Sequence, residues 1–136
     1  MPTVLIATDA DSVFAQVDAV VGDDDTTVLR VRSGEVVRAA VAEYEPDLVV
    51  LDLQIGNMGG IAACLALRHE VGMDRLPVVP VLLLLDRPAD VHLARRSAAD
   101  GWIVKPLDPI RLRRAVDALL ADGTYTEDAG FPTVEV

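Results

Sequence analysis

Apolar residues fall along this chain in short blocks, each stopped by an acid, a glycine or a proline. Residues 3–8 (TVLIAT), 48–51 (LVVL) and 78–85 (VVPVLLLL) are nearly continuous apolar runs, the pattern of strands buried on both faces. Residues 26–31 alternate loosely and are rich in branched side chains, as an outer strand would be. Residues 102–104 make a short fifth run. Between the blocks the period becomes helical. Val13, Phe14, Val17, Val20 and Val21 form one stripe, and Val36, Val37, Ala40 and Val41 a second. Ile61, Cys64, Leu65 and Val71 form a third, and Leu112, Val116, Leu119 and Leu120 the last. Residues 89–98 make the remaining helix. Asp11 or Ser12, Ser33 and Asp108 stand where helix caps belong, with Pro109 in a first turn where proline costs least.

Five strands alternating with five helices predict an α/β fold, a parallel sheet covered by helices on both faces. Right-handed crossovers leave few topologies, and the order 2-1-3-4-5 is the commonest at this size. Residues 1–121 hold these elements as one domain. Residues 122–136 (DGTYTEDAGFPTVEV) show no sustained period and are expected to be a flexible tail, with no output domain after Leu120.

Composition narrows the setting. The chain has 136 residues, of which 51% are hydrophobic, and a net charge of −10 that argues against direct nucleic-acid binding. No apolar run is long enough to cross a bilayer, and no basic segment precedes the first one as in a signal peptide. The single cysteine, Cys64, has no internal partner. A cytoplasmic setting without membrane contact fits these features. Charge is unevenly placed: residues 86–114 carry seven of the twelve basic residues and a local +3. Lys105 is the only lysine.

In an open parallel sheet, function gathers at the carboxyl ends of the strands near the reversal of strand order. Three charged residues stand there: Asp9 after the first strand, Asp52 after the third and Lys105 after the fifth. Two carboxylates and an ammonium would meet in one pocket, and paired carboxylates invite a compensating cation or a hard metal ion such as Mg²⁺.

PDLVVLDLQIGNMGG resembles the stretch of response-regulator receiver domains in which the phosphate-accepting aspartate ends the third strand and a Met-x-Gly loop follows. WIVKPLD resembles that family's last strand with its Lys-Pro pair. The likeness extends over residues 3–120 and implies the receiver type of flavodoxin-like fold. It makes Asp52 the phosphoacceptor, and Asp9, Asp52 and the Gln54 backbone carbonyl the Mg²⁺ ligands. It makes Lys105 the residue that binds the phosphoryl group, with a cis peptide bond to Pro106. It implies a module of two-component signalling and phosphorelay, not an enzyme beyond self-phosphorylation from a phosphodonor and autodephosphorylation. A sensor histidine kinase or phosphotransfer protein would be its partner. The fourth helix, fifth strand and fifth helix would form a docking or homodimer face carrying Arg95, Arg96, Arg111 and Arg114.

The pattern departs from the family in two places. Thr8 stands where the first of two adjacent acids is usual, which weakens Mg²⁺ binding. Leu85 stands where a hydroxyl residue normally ends the fourth strand, and a frame shift by one offers only Leu84 or Asp86. Its aromatic switch partner would be Trp102. A degenerate receiver that binds proteins independently of phosphorylation is therefore an alternative. A further one is a haloacid-dehalogenase-type phosphatase, with Asp9 as nucleophile and Asp11 as general acid, because DADSV fits that family's short motif.

Overall fold

A computed structural model of the chain describes residues 2–128 and 131–135, with backbone only for 128 and 131–135. Strands β1 (Thr3–Ala7), β2 (Thr27–Val31), β3 (Leu48–Asp52), β4 (Val81–Leu85) and β5 (Gly101–Val104) alternate with helices α1 (Asp11–Val21), α2 (Val37–Tyr44), α3 (Gly60–Gly72), α4 (Val91–Arg96) and α5 (Pro109–Leu120). Single 3-10 turns at Gly34–Val36 and Pro88–Asp90 lead into α2 and α4. Ser33 caps the first of these turns and Asp108 caps α5 through the Arg111 amide. Ala10, not Asp11 or Ser12, occupies the cap position of α1 and makes no side-chain bond there.

The sheet runs in the order β2-β1-β3-β4-β5-β6-β7. The first five strands are parallel in the expected order 2-1-3-4-5. The expectation of a structureless tail is corrected by β6 (Thr124–Asp128), which adds parallel to β5, and by β7 (Phe131–Glu135), which pairs antiparallel with β6. The segment lacks an apolar run, yet Tyr125 is wholly buried and secures it to the sheet.

Pleating sends alternate residues to opposite faces. Leu5, Ala7, Val49, Leu51, Val81, Leu83, Leu85 and Trp102 pack with α2, α3 and α4. Val4, Ile6, Leu48, Val50, Leu82, Leu84, Ile103 and Tyr125 pack with α1 and α5. Every residue of β3 and β4 is buried, which explains their unbroken apolar runs. Leu65 and Val36, expected in the core, are exposed, while Ala63 and Leu67 face inward from α3.

Gly101 is where β5 and β6 touch. A Cβ there would meet the Tyr125 carbonyl oxygen at 2.6 Å and Leu119 Cδ1 at 3.0 Å. Gly101→Ala should lower folding stability by about 1–3 kcal/mol in urea unfolding, because overpacking of this size forces backbone shifts. Gly72→Ala, whose added carbon would meet nothing within 4 Å beyond its chain neighbours and its own helix backbone among the described residues, should be neutral or gain up to about 1 kcal/mol from helix propensity.

Candidate functional site

The pleat places the polar side chains. Thr8, Asp52, Asp86 and Lys105 continue the residue parity of Ile6, Val50, Leu84 and Ile103, so all four emerge on the α1 and α5 side as the strands end. Leu85 has the other parity. It lies fully buried in the opposite cluster with Trp102, whose indole nitrogen is buried and finds no partner among the described residues. The corner of the pocket at the end of β4 is therefore supplied by Asp86.

Asp52 is 1% exposed. Its Oδ1 accepts from Lys105 Nζ at 2.6 Å and from the Gln54 amide at 3.3 Å, and its Oδ2 accepts from the Thr8 hydroxyl at 2.7 Å. A buried carboxylate needs such partners, since an unpaired one would be strongly penalised. Lys105 Nζ also donates to Asp86 Oδ1 at 2.8 Å. Asp86 Oδ2 is buried and finds no hydrogen-bond partner among the described residues. Burial works against the Lys105 ammonium, but its bonds to Asp52 and Asp86 prevail and hold its pKa above the ordinary lysine value.

Asp9 is exposed beside this cluster, with Oδ2 accepting from the Gly56 amide at 3.1 Å. The loop before α3 thereby folds back over the end of β1. Asn57 and Met58 of that loop take positive φ, and Gly60 approaches so closely that a Cβ would lie 2.5 Å from the Asp52 carbonyl oxygen. The Lys105–Pro106 peptide bond is cis.

Asp11 does not join the site. Its carboxylate pairs with Arg30 at 2.9 Å and Arg32 at 3.1 Å, and the Arg30 hydrogen bond foremost lowers its pKa. An acid held ionised in this way is poorly suited to donate a proton, so the geometry lends nothing to the phosphatase alternative. Arg111, expected on a docking face, is likewise turned inward: it bonds Glu127 at 2.6 Å and the Pro106 carbonyl at 2.7 Å. Arg95, Arg96 and Arg114 remain on the exposed surface.

Oxygen donors suited to a hard cation stand at the pocket: the Asp9 and Asp52 carboxylates and the backbone of Gln54. Only two carry charge, and among the described residues no three acidic, histidine or cysteine side chains are grouped to hold a metal. A hard cation held by these donors would keep most of its water shell, as Mg²⁺ commonly does.

Residues 4–117 match the sequence model of the response regulator receiver domain. The chain belongs to the response-regulator receiver family. It is 32% identical over 119 residues to the DNA-binding response regulator MtrA of Mycolicibacterium smegmatis, an alignment covering 86% of this chain and 50% of that protein. It is 28% identical over 138 residues to the transcriptional regulatory protein AfsQ1 of Streptomyces coelicolor, covering 100% of this chain and 60% of the other. The chain thus spans about half the length of such curated relatives. Among solved structures it is similar to the signal receiver domain of a signal transduction histidine kinase from Syntrophus aciditrophicus, with TM-score 0.77, 27% identity and coverage of 90% of this chain and 92% of that one. Receiver domains are signalling modules of two-component systems. No helix among the described residues of this receiver is long and apolar enough to cross a membrane.

Sequence reasoning missed Asp86 as a site residue, and the parity of 82, 84 and 86 was the signal for it. It also missed the Thr8 bond to Asp52.

Two measurements follow. Thr8→Val keeps the side-chain shape but leaves Asp52 Oδ2 buried without a donor, and should cost about 1–3 kcal/mol in urea unfolding. A raised lysine pKa contributes stability that is complete below the unfolded lysine value of about 10.4 and is lost as pH rises through the folded value. The urea midpoint should therefore fall as pH rises above about 10, and less steeply in Lys105→Met. Tyr125, raised by burial and next by Glu127, adds to the fall in both chains. Equal slopes would show that Lys105 is not the source.

Proposed function

We propose that this receiver accepts a phosphoryl group on Asp52. The observation that carries this reading is the short contact of Lys105 Nζ with Asp52 Oδ1 at the strand ends, with Asp9 open beside it. In the reaction an Asp52 carboxylate oxygen forms a bond to phosphorus as the bond to the donor's leaving group breaks with its electron pair. The product is an acyl phosphate. Phosphoryl transfer asks mainly for alignment and neutralisation of charge, and Lys105 supplies a fixed cation for one phosphoryl oxygen. Asp9, Asp52 and the Gln54 carbonyl would hold Mg²⁺, which when bound supplies the remaining positive charge.

Asp52 must exchange at least one of its present partners for the phosphoryl group. Thr8 is the readiest to turn away, because a neutral hydroxyl binds a carboxylate less strongly than an ammonium does. Leu85 offers no hydroxyl, so on the β4 side the phosphoryl group depends on Lys105 and backbone donors. A sensor histidine kinase or phosphotransfer protein is the natural source of the group. Arg95, Arg96 and Arg114 are the exposed part of the expected docking or homodimer face. MtrA and AfsQ1 are described as a DNA-binding and a transcriptional regulator, which supports a role for this receiver in controlling an output function within a cytoplasmic relay.

Incubation with a small acyl-phosphate donor and Mg²⁺, followed by intact mass, should show a gain of one phosphoryl group. The gain should vanish in Asp52→Asn and shrink in Asp9→Asn. Uptake that survives Asp52→Asn would overturn the assignment, and absence of uptake with both donor and Mg²⁺ in excess would favour a module that binds proteins without phosphorylation.

A further inference from the structure

Strand β6 makes one ladder contact with β5, Gly101 opposite Tyr125, next to a bond from the Tyr125 amide to the Asp100 carbonyl at 3.3 Å. Towards Lys105 the backbone ladder stops and a side chain takes over. Glu127 Oε1 accepts from the Val104 amide at 2.9 Å, one residue before Lys105. Both Glu127 oxygens accept from Arg111 Nη1 at 2.6 Å, and Oε2 also accepts from the Tyr125 hydroxyl at 2.7 Å. Arg111 Nη2 then reaches the Pro106 carbonyl at 2.7 Å and the Val104 carbonyl at 3.4 Å. The residues on either side of Lys105 are thus held by one ion pair whose acid, Glu127, is 1% exposed.

We propose that Glu127 and Arg111 are positioning residues for Lys105, and that β6 is in this way a working part of the phosphoacceptor site. The proposal rests on the assignment of Asp52 and Lys105 to phosphoryl transfer. Its physical basis is rigidity. A lysine side chain has many rotamers, and its ammonium stays within reach of Asp52 only if its own backbone is fixed. On one side the Lys105 amide bonds the Leu85 carbonyl at 2.8 Å. On the outer side, where β5 would otherwise present an unpaired amide to water, Glu127 supplies the acceptor. Charge-assisted bonds from a buried carboxylate are strong enough for this purpose, and loss of either partner leaves an unpaired charge in a buried place.

The lone lysine makes the proposal measurable without phosphorylation. With the whole 136-residue chain, an amine-reactive acylating reagent followed by peptide mapping reports the accessibility of Lys105 directly. Glu127→Gln and Arg111→Met should each raise the rate of Lys105 acylation by about tenfold, the factor that corresponds to loss of one charge-assisted bond. Both should slow phosphoryl uptake from the small donor at saturating Mg²⁺. Because the pair acts as a unit, the double variant should be no worse than the more severe single one. Val37→Ala, which lowers stability from the opposite face of the sheet, should leave acylation of Lys105 unchanged under folded conditions.

If Glu127→Gln and Arg111→Met react no faster at Lys105 than the parent chain, or only as fast as Val37→Ala, the positioning role is wrong. Should the parent chain fail to take up a phosphoryl group, the phosphoacceptor assignment falls on its own. A raised acylation rate in the two variants would still establish the clamp on Lys105.

Discussion

One ammonium holds the functional end of this sheet together. Lys105 stands between Asp52 and Asp86, the terminal acids of two neighbouring strands, and donates to both. Like charges about 4 Å apart repel by about 4 kcal/mol at the effective dielectric of a protein surface. Without the cation, β3 and β4 would end in mutual repulsion within a largely apolar surround. Strand order decides that β5 delivers it, and the strand pleat decides that it arrives on the same side as both acids. The turn after β5, the cap of α5 at Asp108 and the bonds around Arg111 all serve to bring that one charge to one place.

The distribution of charge here differs from that implied by the family pattern. Thr8 replaces an acid with a hydroxyl that binds Asp52, relieving repulsion where a metal would otherwise have to do so. Asp86 places a carboxylate on the far side of Lys105. Negative charge has in effect moved across the pocket, away from the side of Asp9 and towards the ammonium. Leu85 and Trp102 meanwhile belong to the apolar packing of the opposite face, where the indole nitrogen has no partner among the described residues.

Much of this was legible in the order of residues. The buried strands β1, β3 and β4 announced themselves as apolar runs, and the acids that stop β1 and β3 mark the ends where the site lies. Asp9, Asp52 and Lys105 could be placed near one another because a parallel sheet constrains where its strand ends meet. The C-terminal strands were less legible, because burial there is carried by a tyrosine and by an acid. Glu127 looks like a solvated residue in a polar stretch until Arg111, sixteen residues earlier, is seen to neutralise it. Arg111 in turn resembles a surface cation among other arginines. Only the three-dimensional pairing distinguishes it from Arg113 and Arg114, since each partner's burial depends on the other. Leu65 and Ala63 show a similar limit at smaller scale: the helical period identified a stripe, but the angle at which α3 meets the sheet decided which residues formed it.

Trp102 is the only tryptophan in the chain and lies 7% exposed, paired across the sheet with Leu83 and three residues from Lys105. An indole in that dry setting, its nitrogen without an acceptor among the described residues, is an optical probe already in place. Its emission is set by the polarity around β4 and β5, so any rearrangement of those strand ends that admits water or moves Leu85 would register as a change of colour. The residue that departs from the usual aromatic switch therefore gives the molecule a built-in spectroscopic window on its own core.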